Sequence, residues 1–416
     1  MGFLNGLRLS ARRALRSRVL RNFMLCFAVY TFLDALRIQR VITNTPPHDP
    51  SKPRKLERVY IAGMHYNSAG LIKEHWNGAV LELVDKLGRE NLFVSVYESG
   101  SWDESKKWLR ELDAELEKRG VPRNVVLDER THQQEVEEDV PEDGEDRQGW
   151  IRTRRGKREM RRIPFLARLR NLTLRDLWRL SREGEVFDKV LFLNDVVFTA
   201  DDVLALLDTN RGLYAAACSL DFSEPPFYYD TFALRDAGGQ AHLMQTWPYF
   251  RSRKSREALM AYRDAVPVRS CWNGIVAMQA APFLAPEGKR LKFRAVADSL
   301  AEEQHVEASE CCLIHVDNPL SGSLGVYLNP RVRVGYNGDA YSKTHPEGES
   351  WVSVWRAVVG VWEGRARRWF STDDVKEWVV RKRVQRWAEK GGRHERGVDC
   401  LINEGQVLVW NGWAHV

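Results

Sequence analysis

The sequence predicts an α/β fold in which a parallel sheet carries helices on both faces. Three observations predict it. Short β-branched or aromatic runs alternate with segments of helical apolar spacing from Arg58 onward. The first two of these runs end in polar, glycine-containing loops of the sort that punctuate strand–helix units. The 416 residues suffice for one large domain of this type, and the apolar share of 44% is ordinary.

The elements follow in order. Val59–Ala62 is a first strand, and Gly63, His65, Asn67, Ser68 and Gly70 form its loop. Residues 71–86 have helical spacing, with Trp76, Val80, Leu83 and Leu87 available to one face. Residues 92–97 make a second strand. Ser101 is placed to cap a helix running to about Lys118, and residues 124–127 make a third strand. Residues 133–149 are strongly acidic and read as a solvated, mobile insertion. A basic block from Arg152 to Arg162 follows, then a helix over 163–180. Lys189–Phe198 is the most apolar strand candidate, Asp201 and Asp202 start a short helix, and 213–220 and 275–278 are further buried strands. Beyond about residue 347, tryptophans recur on basic helical segments. These read as a helical C-terminal extension whose tryptophans anchor packing.

The N-terminus carries six arginines from Arg8 to Arg21 before an apolar run from Phe23 to Leu33. Residues 1–22 read as a basic cytosolic tail and 23–38 as a signal anchor, with everything beyond in a lumen. An amphipathic surface helix or a transit-type leader fits the same composition. Residues 39–57, proline-rich in their middle, read as a stem. The domain proper then spans 58–346 and the extension 347–416. The six cysteines form no C-x-x-C pair, so zinc and redox motifs are not indicated; one or two disulfides, or buried free thiols, are open. The net charge of +6 comes without any nucleic-acid-binding motif, and nucleic acid is not expected as a partner. Asn171-Leu172-Thr173 is a glycosylation sequon inside an expected helix.

Four segments carry chemistry. In Leu191–Phe198 a polar pair, Asn194 and Asp195, interrupts a buried strand. A carboxylate there needs a cation or several donors, unless the pair is simply turn chemistry. Residues 218–236 place Asp221, Glu224, Asp230 and Asp236 among aromatics that include Tyr229, a composition suited to sugar binding or to a surface hairpin. Cys271–Gly274 offers Trp272 for stacking and Asn273 for hydrogen bonding, or a tight turn. Residues 308–319 set His315 in an apolar run flanked by Glu310 and Asp317, as a core histidine or a metal contact. Arg162, Arg168 and Arg170 are the basic residues reserved for a diphosphate.

Together these segments resemble the fungal capsule-associated α-1,3-mannosyltransferases, glycosyltransferase family 69, over roughly residues 58–345. The carrying pieces are Tyr60–Ala62 with Asn67, Arg162–Ala167, Leu193–Phe198, Tyr229–Phe232, Cys271–Gly274 and Ser309–Cys312. The resemblance implies a GT-A-like fold, a type II Golgi membrane enzyme, a GDP-mannose donor, a mannose-containing glycan acceptor, retention of configuration, and a divalent metal, manganese rather than magnesium. It implies Asp195 as metal ligand, with His315 as a possible second, because Asn194 stands where the common Asp-x-Asp pattern has its first acid. On this reading Asn67, Arg162, Arg168 and Asn194 bind donor. Asp221, Tyr229, Trp272 and Asn273 bind sugar, and Asp230 and Glu310 serve the reacting centre. A transferase with another nucleotide-sugar donor and a non-catalytic glycan-binding partner are the alternatives.

Overall fold

The structure is a computed structural model that describes residues 17–44, 55–142, 144–347, 350–370 and 373–416. Most of the basic tail and of the proline-rich stem lie outside the described residues.

Among the described residues, ten strands form one sheet. They are β1 (Val59–His65), β2 (Leu92–Ser99), β3 (Arg123–Asp128), β4 (Lys189–Leu193), β5 (Ala216–Glu224), β6 (Phe227–Tyr228), β7 (Arg235–Asp236), β8 (Val266–Ser270), β9 (Ile275–Gln279) and β10 (Val326–Gly335). The order is β3-β2-β1-β4-β9-β5-β10-β8-β7, with β6 paired to β5. The first four strands are parallel, as expected from the alternating pattern. The second half is mixed, because β9 runs antiparallel to both β4 and β5. The main helices are α1 (Arg18–Asn44), α2 (Asn77–Leu87), α3 (Ser105–Lys118), α4 (Arg162–Thr173), α5 (Ala200–Leu207), α6 (Glu310–Asp317), α7 (Val354–Phe370) and α8 (Asp373–Glu389).

Side chains alternate across the sheet. Tyr60, Phe93 and Phe192 enter one apolar cluster with Trp272, while Ile61, Val94, Leu191 and Leu193 enter the other. Both faces are therefore covered, which is why the parallel strands read as continuous apolar runs.

Several expectations are corrected. Ser101 does not cap α3, which starts after Glu104; its hydroxyl instead accepts the Asn67 N–H at 2.8 Å. The acidic insertion is not wholly loose. Thr131 and Gln134 close a capping box on a helix over His132–Glu137, and buried Glu135 pairs with Arg130 and Arg168. The helix expected over 163–180 breaks at Leu174 into two. The amide of Asn171 is spent in both directions on the Phe293 backbone, at 2.8 and 3.0 Å, so the fold uses the sequon internally. The C-terminal extension is not all helix. It ends in a hairpin, Gln406–Val409 with Gly412–His415. Its tryptophans divide as well: Trp387 is buried, whereas Trp355, Trp369, Trp378 and Trp410 are exposed.

Two disulfides form, Cys218–Cys271 and Cys312–Cys400, leaving Cys26 and Cys311 as free thiols. The first ties β5 to the turn that opens β9. The second ties α6 to the C-terminal segment.

Helix α1 has 27 residues and is apolar enough to cross a membrane by length and composition. Its C-terminal half belongs to the folded body. Trp362 of α7 donates to the Thr31 hydroxyl at 3.0 Å, Arg365 pairs with Asp34 at 2.7 Å, and Ile38 is buried in the core.

Candidate functional site

Four chain segments converge at the C-terminal end of β4, and the sheet topology dictates their meeting. Because β9 is antiparallel to β4, Ile275 lies opposite Leu193. The turn before β9, Cys271–Gly274, therefore lands beside Asn194 and Asp195. Because β5 is antiparallel to β9, its upper end brings Asp221 to the same level. Strand β10 runs parallel to β5 with Val334 opposite Asp221, and Gly335 bridges to Val197. Tyr336 follows directly. Ligands of open α/β sheets bind at such strand ends.

Asn194 organises this junction. Its backbone N–H donates to the Gly274 carbonyl at 3.1 Å, its carbonyl accepts from the Trp76 indole at 3.1 Å, and its Oδ1 accepts from the Trp272 indole at 3.1 Å. The residue expected to bind donor is thus occupied internally, and it fixes where Asp195 leaves the strand. Gly274 is required here. Its φ is +95°, and a Cβ would stand 2.3 Å from Cγ2 of Val334. Gly274→Ala is expected to cost about 2–4 kcal/mol from the backbone and the overlap. A urea titration checks it; an unchanged midpoint would contradict the tight-approach reading.

Three carboxyls, Asp221, Asp195 and Asp230, act electrostatically on the Tyr336 hydroxyl. Asp221 is fully buried. It accepts from Asn273 Nδ2 at 2.8 Å, from the Asp230 N–H at 3.1 Å and from Tyr336 at 3.2 Å. Asp230 Oδ1 accepts the N–H groups of Phe232 and Ala233, both at 3.0 Å, which orients its carboxyl. Asp195 keeps an edge open to solvent while protein atoms surround it densely. Burial pushes its carboxyl up to about 6, and burial with the neighbouring Asp230 charge pushes Asp221 up to about 7.

Both carboxyls thus hold their protons longer in the fold than in the unfolded chain, where carboxyls ionise near pH ~4. Below that value this contribution to stability is fully present, and it is lost as pH climbs through about 6 to about 7. In the presence of chelator the Tm is expected to be higher at pH 5 than at pH 8 on this account, and Asp195→Asn should flatten the difference. Melting curves that keep the wild-type slope in the variant would assign the effect elsewhere.

A buried Arg–Glu pair faces this cluster. Arg170 of α4 donates to Glu310 Oε1 at 2.8 Å, and its guanidinium lies 4.4 Å from the centre of the Trp272 ring. The Cys311 thiol donates to the same carboxyl oxygen at 3.2 Å. Arg162 is in the field of Glu310, Asp230 and Tyr229. It also donates to Gln406 at 2.7 Å and lies over Trp413 at 4.3 Å.

The structure thus brings together Asp195, Asp221, Asp230, Glu310, Arg162 and Tyr229, and it changes the expected roles of others. Trp272 is buried among Phe192, Phe293 and Arg170, with no face for a sugar. Asn273 is buried and bridges Asp221 to the Asp230 carbonyl. Asp221 is sealed beneath the surface. Arg168 turns to Glu135 and the Phe165 ring. His315 is not placed as a metal ligand: its Nε2 contacts the Cys271 carbonyl at 2.6 Å, and burial pushes it down to about 4. The other ligand atoms beside it are the sulfurs of Cys218 and Cys271, which are joined in a disulfide.

Among the described residues, no three carboxylates come within bonding reach of a single ion. Asp195 does suit a divalent cation. It is an oxygen ligand held at an open edge, its charge is disfavoured by burial, and among the described residues it forms no ion pair, Arg170 acting on it only at a distance. Mn2+ and Mg2+ accept one or two protein carboxylates when phosphate oxygens and water supply the rest.

Two elements escaped sequence reasoning. Glu98, at the end of β2, is fully buried; its Oε2 lacks a hydrogen bond and lies 3.9 Å from the Lys106 ammonium, beside the loop where Asn67 Oδ1 holds the Trp102 N–H at 3.1 Å. The C-terminal hairpin is the other. The two-residue interruption at Trp410 and Asn411 was its only signal.

The family described as Cryptococcal mannosyltransferase 1 matches residues 58–317, well over half of the chain. The chain belongs to that family. Its mixed sheet, covered by helices on both faces, is of the α/β class. No curated protein matches the chain. Among solved structures, the mannosyltransferase PcManGT from Pyrobaculum calidifontis, in complex with GDP-Man and Mn2+, is 13% identical. The match covers 89% of this chain and 87% of that one, with a TM-score of 0.38. TarS 1-349 from S. aureus is 11% identical over 67% of this chain and 60% of that one, at a TM-score of 0.34. GalNAc-T7 with UDP, GalNAc and Mn2+ is 11% identical over 68% and 44%, at 0.36. Identities and scores this low say nothing about substrate.

Proposed function

We propose that the protein transfers mannose from GDP-mannose to a mannose-containing glycan, forming an α-1,3 linkage with retention of configuration. The divalent cation is manganese in preference to magnesium. The observation that carries this reading is the junction at the end of β4. There Asp195 is presented at an open edge in the field of Arg170 and shares the surroundings of the Tyr336 hydroxyl with Asp230, and Asp230 and Glu310 in turn act on Arg162. Membership of a mannosyltransferase family supports it.

Asp195 would hold the cation, which as a Lewis acid offsets charge on the departing diphosphate. Arg162 supplies a fixed positive charge on the same side. The loops after β1 and β2, with Asn67, receive the nucleotide. Asp230, whose Oδ1 is anchored by two backbone N–H groups, directs its remaining oxygen towards positive charge that develops at the sugar carbon. Glu310 orients Arg170 through Oε1. Tyr229, exposed and 4.6 Å from the Tyr336 ring, offers a face to a pyranose.

The protein is a type II Golgi enzyme with a lumenal catalytic domain. The two disulfides fit an oxidising compartment, and α1, preceded by arginines, fits a signal anchor whose last turns dock on α7. The assay supplies full-length protein with GDP-mannose and an α-linked mannobiose, with manganese, magnesium or chelator. A lengthened product that needs metal supports the reading. A folded protein that neither lengthens acceptor nor releases GDP would favour the non-catalytic glycan-binding partner, to which the single metal-facing carboxylate otherwise gives some weight.

A further inference from the structure

The C-terminal hairpin carries two tryptophans that its own folding does not explain. Val407 and Leu408 are buried, and Leu408 packs with Tyr97, Trp150, Phe165 and Leu169. Val407 bridges to Arg161, and Gln406 accepts from Arg162. The hairpin is therefore seated firmly by its first strand. Trp410 nonetheless occupies its two-residue turn, a place that favours glycine, asparagine and proline, and is 56% exposed. Trp413 is 41% exposed.

These rings continue into the site. Trp410 is 5.8 Å from Trp102, itself 49% exposed, and Trp102 is 6.1 Å from Tyr66. Trp413 lies under the Arg162 guanidinium, which feels Glu310 and Asp230. An open aromatic wall thus runs from the loops after β1 and β2, past the hairpin tip, to the start of α4. The hairpin lies beyond the residues that define the family match, 58–317, so that match does not account for it.

We propose that this wall is the acceptor platform, on which Trp410 and Trp413 stack the pyranose rings of an incoming glycan. Half-exposed indoles offer broad apolar faces with a polar edge, which suits the C–H face and hydroxyl rim of a hexose. The Arg162 guanidinium beside Trp413 supplies donors for those hydroxyls. The inference rests on the transfer reading only in taking the glycan as acceptor; binding itself can be tested without turnover.

The experiment uses full-length protein and an α-linked mannotriose as probe. Isothermal titration and acceptor KM are measured for wild type, Trp410→Ala, Trp413→Ala, Trp410→Phe and, as control, Trp355→Ala on α7. The expected result is a loss of mannotriose affinity and a rise in acceptor KM of about tenfold or more in the two alanine variants, from losing one stacking contact of roughly 1–2 kcal/mol each. Donor KM and donor hydrolysis should stay within twofold for Trp410→Ala, with affinity retained in Trp410→Phe and Trp355→Ala. Wild-type affinity in both alanine variants, or no mannotriose binding by wild type, overturns the platform. Absence of GDP release from wild type, with mannotriose binding still dependent on Trp410, would instead sink the transfer reading and leave the platform standing.

Discussion

Asp195→Asn is expected to lower kcat by about 10³-fold or more while the protein stays folded, because the charge facing the diphosphate is the interaction that strengthens as the leaving group departs. The substitution keeps shape and removes charge. Burial raises the Asp195 carboxyl to about 6, so the neutral amide relieves a cost that the fold bears at neutral pH. Stability should therefore hold or rise while activity falls, a separation that a general folding defect cannot produce. Single-turnover transfer at saturating GDP-mannose and manganese, read beside a thermal melt, checks both halves. Activity within tenfold of wild type would remove Asp195 from the metal role.

Arg170→Met is expected to show the opposite pattern, with a large loss of stability. Arg170 and Glu310 are both buried and bonded at 2.8 Å. Removing the guanidinium strands the Glu310 carboxylate in the interior, which typically costs about 3–5 kcal/mol. The contact with the Trp272 ring goes as well. The loss should pass to the site, since Trp272 holds Asn194 and Asn194 sets the departure of Asp195. Arg170→Lys keeps the charge without the planar fork and should recover part of the stability. Urea titrations of the three proteins check the ranking. Equal midpoints for Met and wild type would mean that the pair contributes nothing.

The parallel half of the sheet was legible because strands buried on both faces leave long apolar runs, and Lys189–Leu193 is such a run. The mixed half was less so. Strands β8 and β9 are separated by the four residues Cys271–Gly274 yet do not pair with each other, and nothing in local composition says which neighbour each finds. The acids of the site, Asp195, Asp221, Asp230 and Glu310, were visible as polar interruptions of apolar segments, whereas Tyr336 and Glu98 were not. Roles were not visible, because a tryptophan or asparagine that seals a turn and one that meets a sugar have the same sequence signature. Trp272 and Asn273 proved to be the former. The exposed Trp410 and Trp413 escaped notice because they follow a long helical stretch whose tryptophans were read as packing anchors.

The sequence by itself determined the α/β class, the positions of β1, β2 and β4, the apolar N-terminal helix and the family, since periodicity and short ordered motifs are local properties that survive without coordinates. Only the tertiary structure decided which acids meet. The antiparallel insertion of β9 between β4 and β5 brings Asp195, Asp221 and Asp230 within electrostatic reach of Tyr336, and it leaves His315 bonded to a backbone carbonyl beside a disulfide. Burial and partnership are sums over residues distant in the chain, and it is those sums that separate a ligand from a strut.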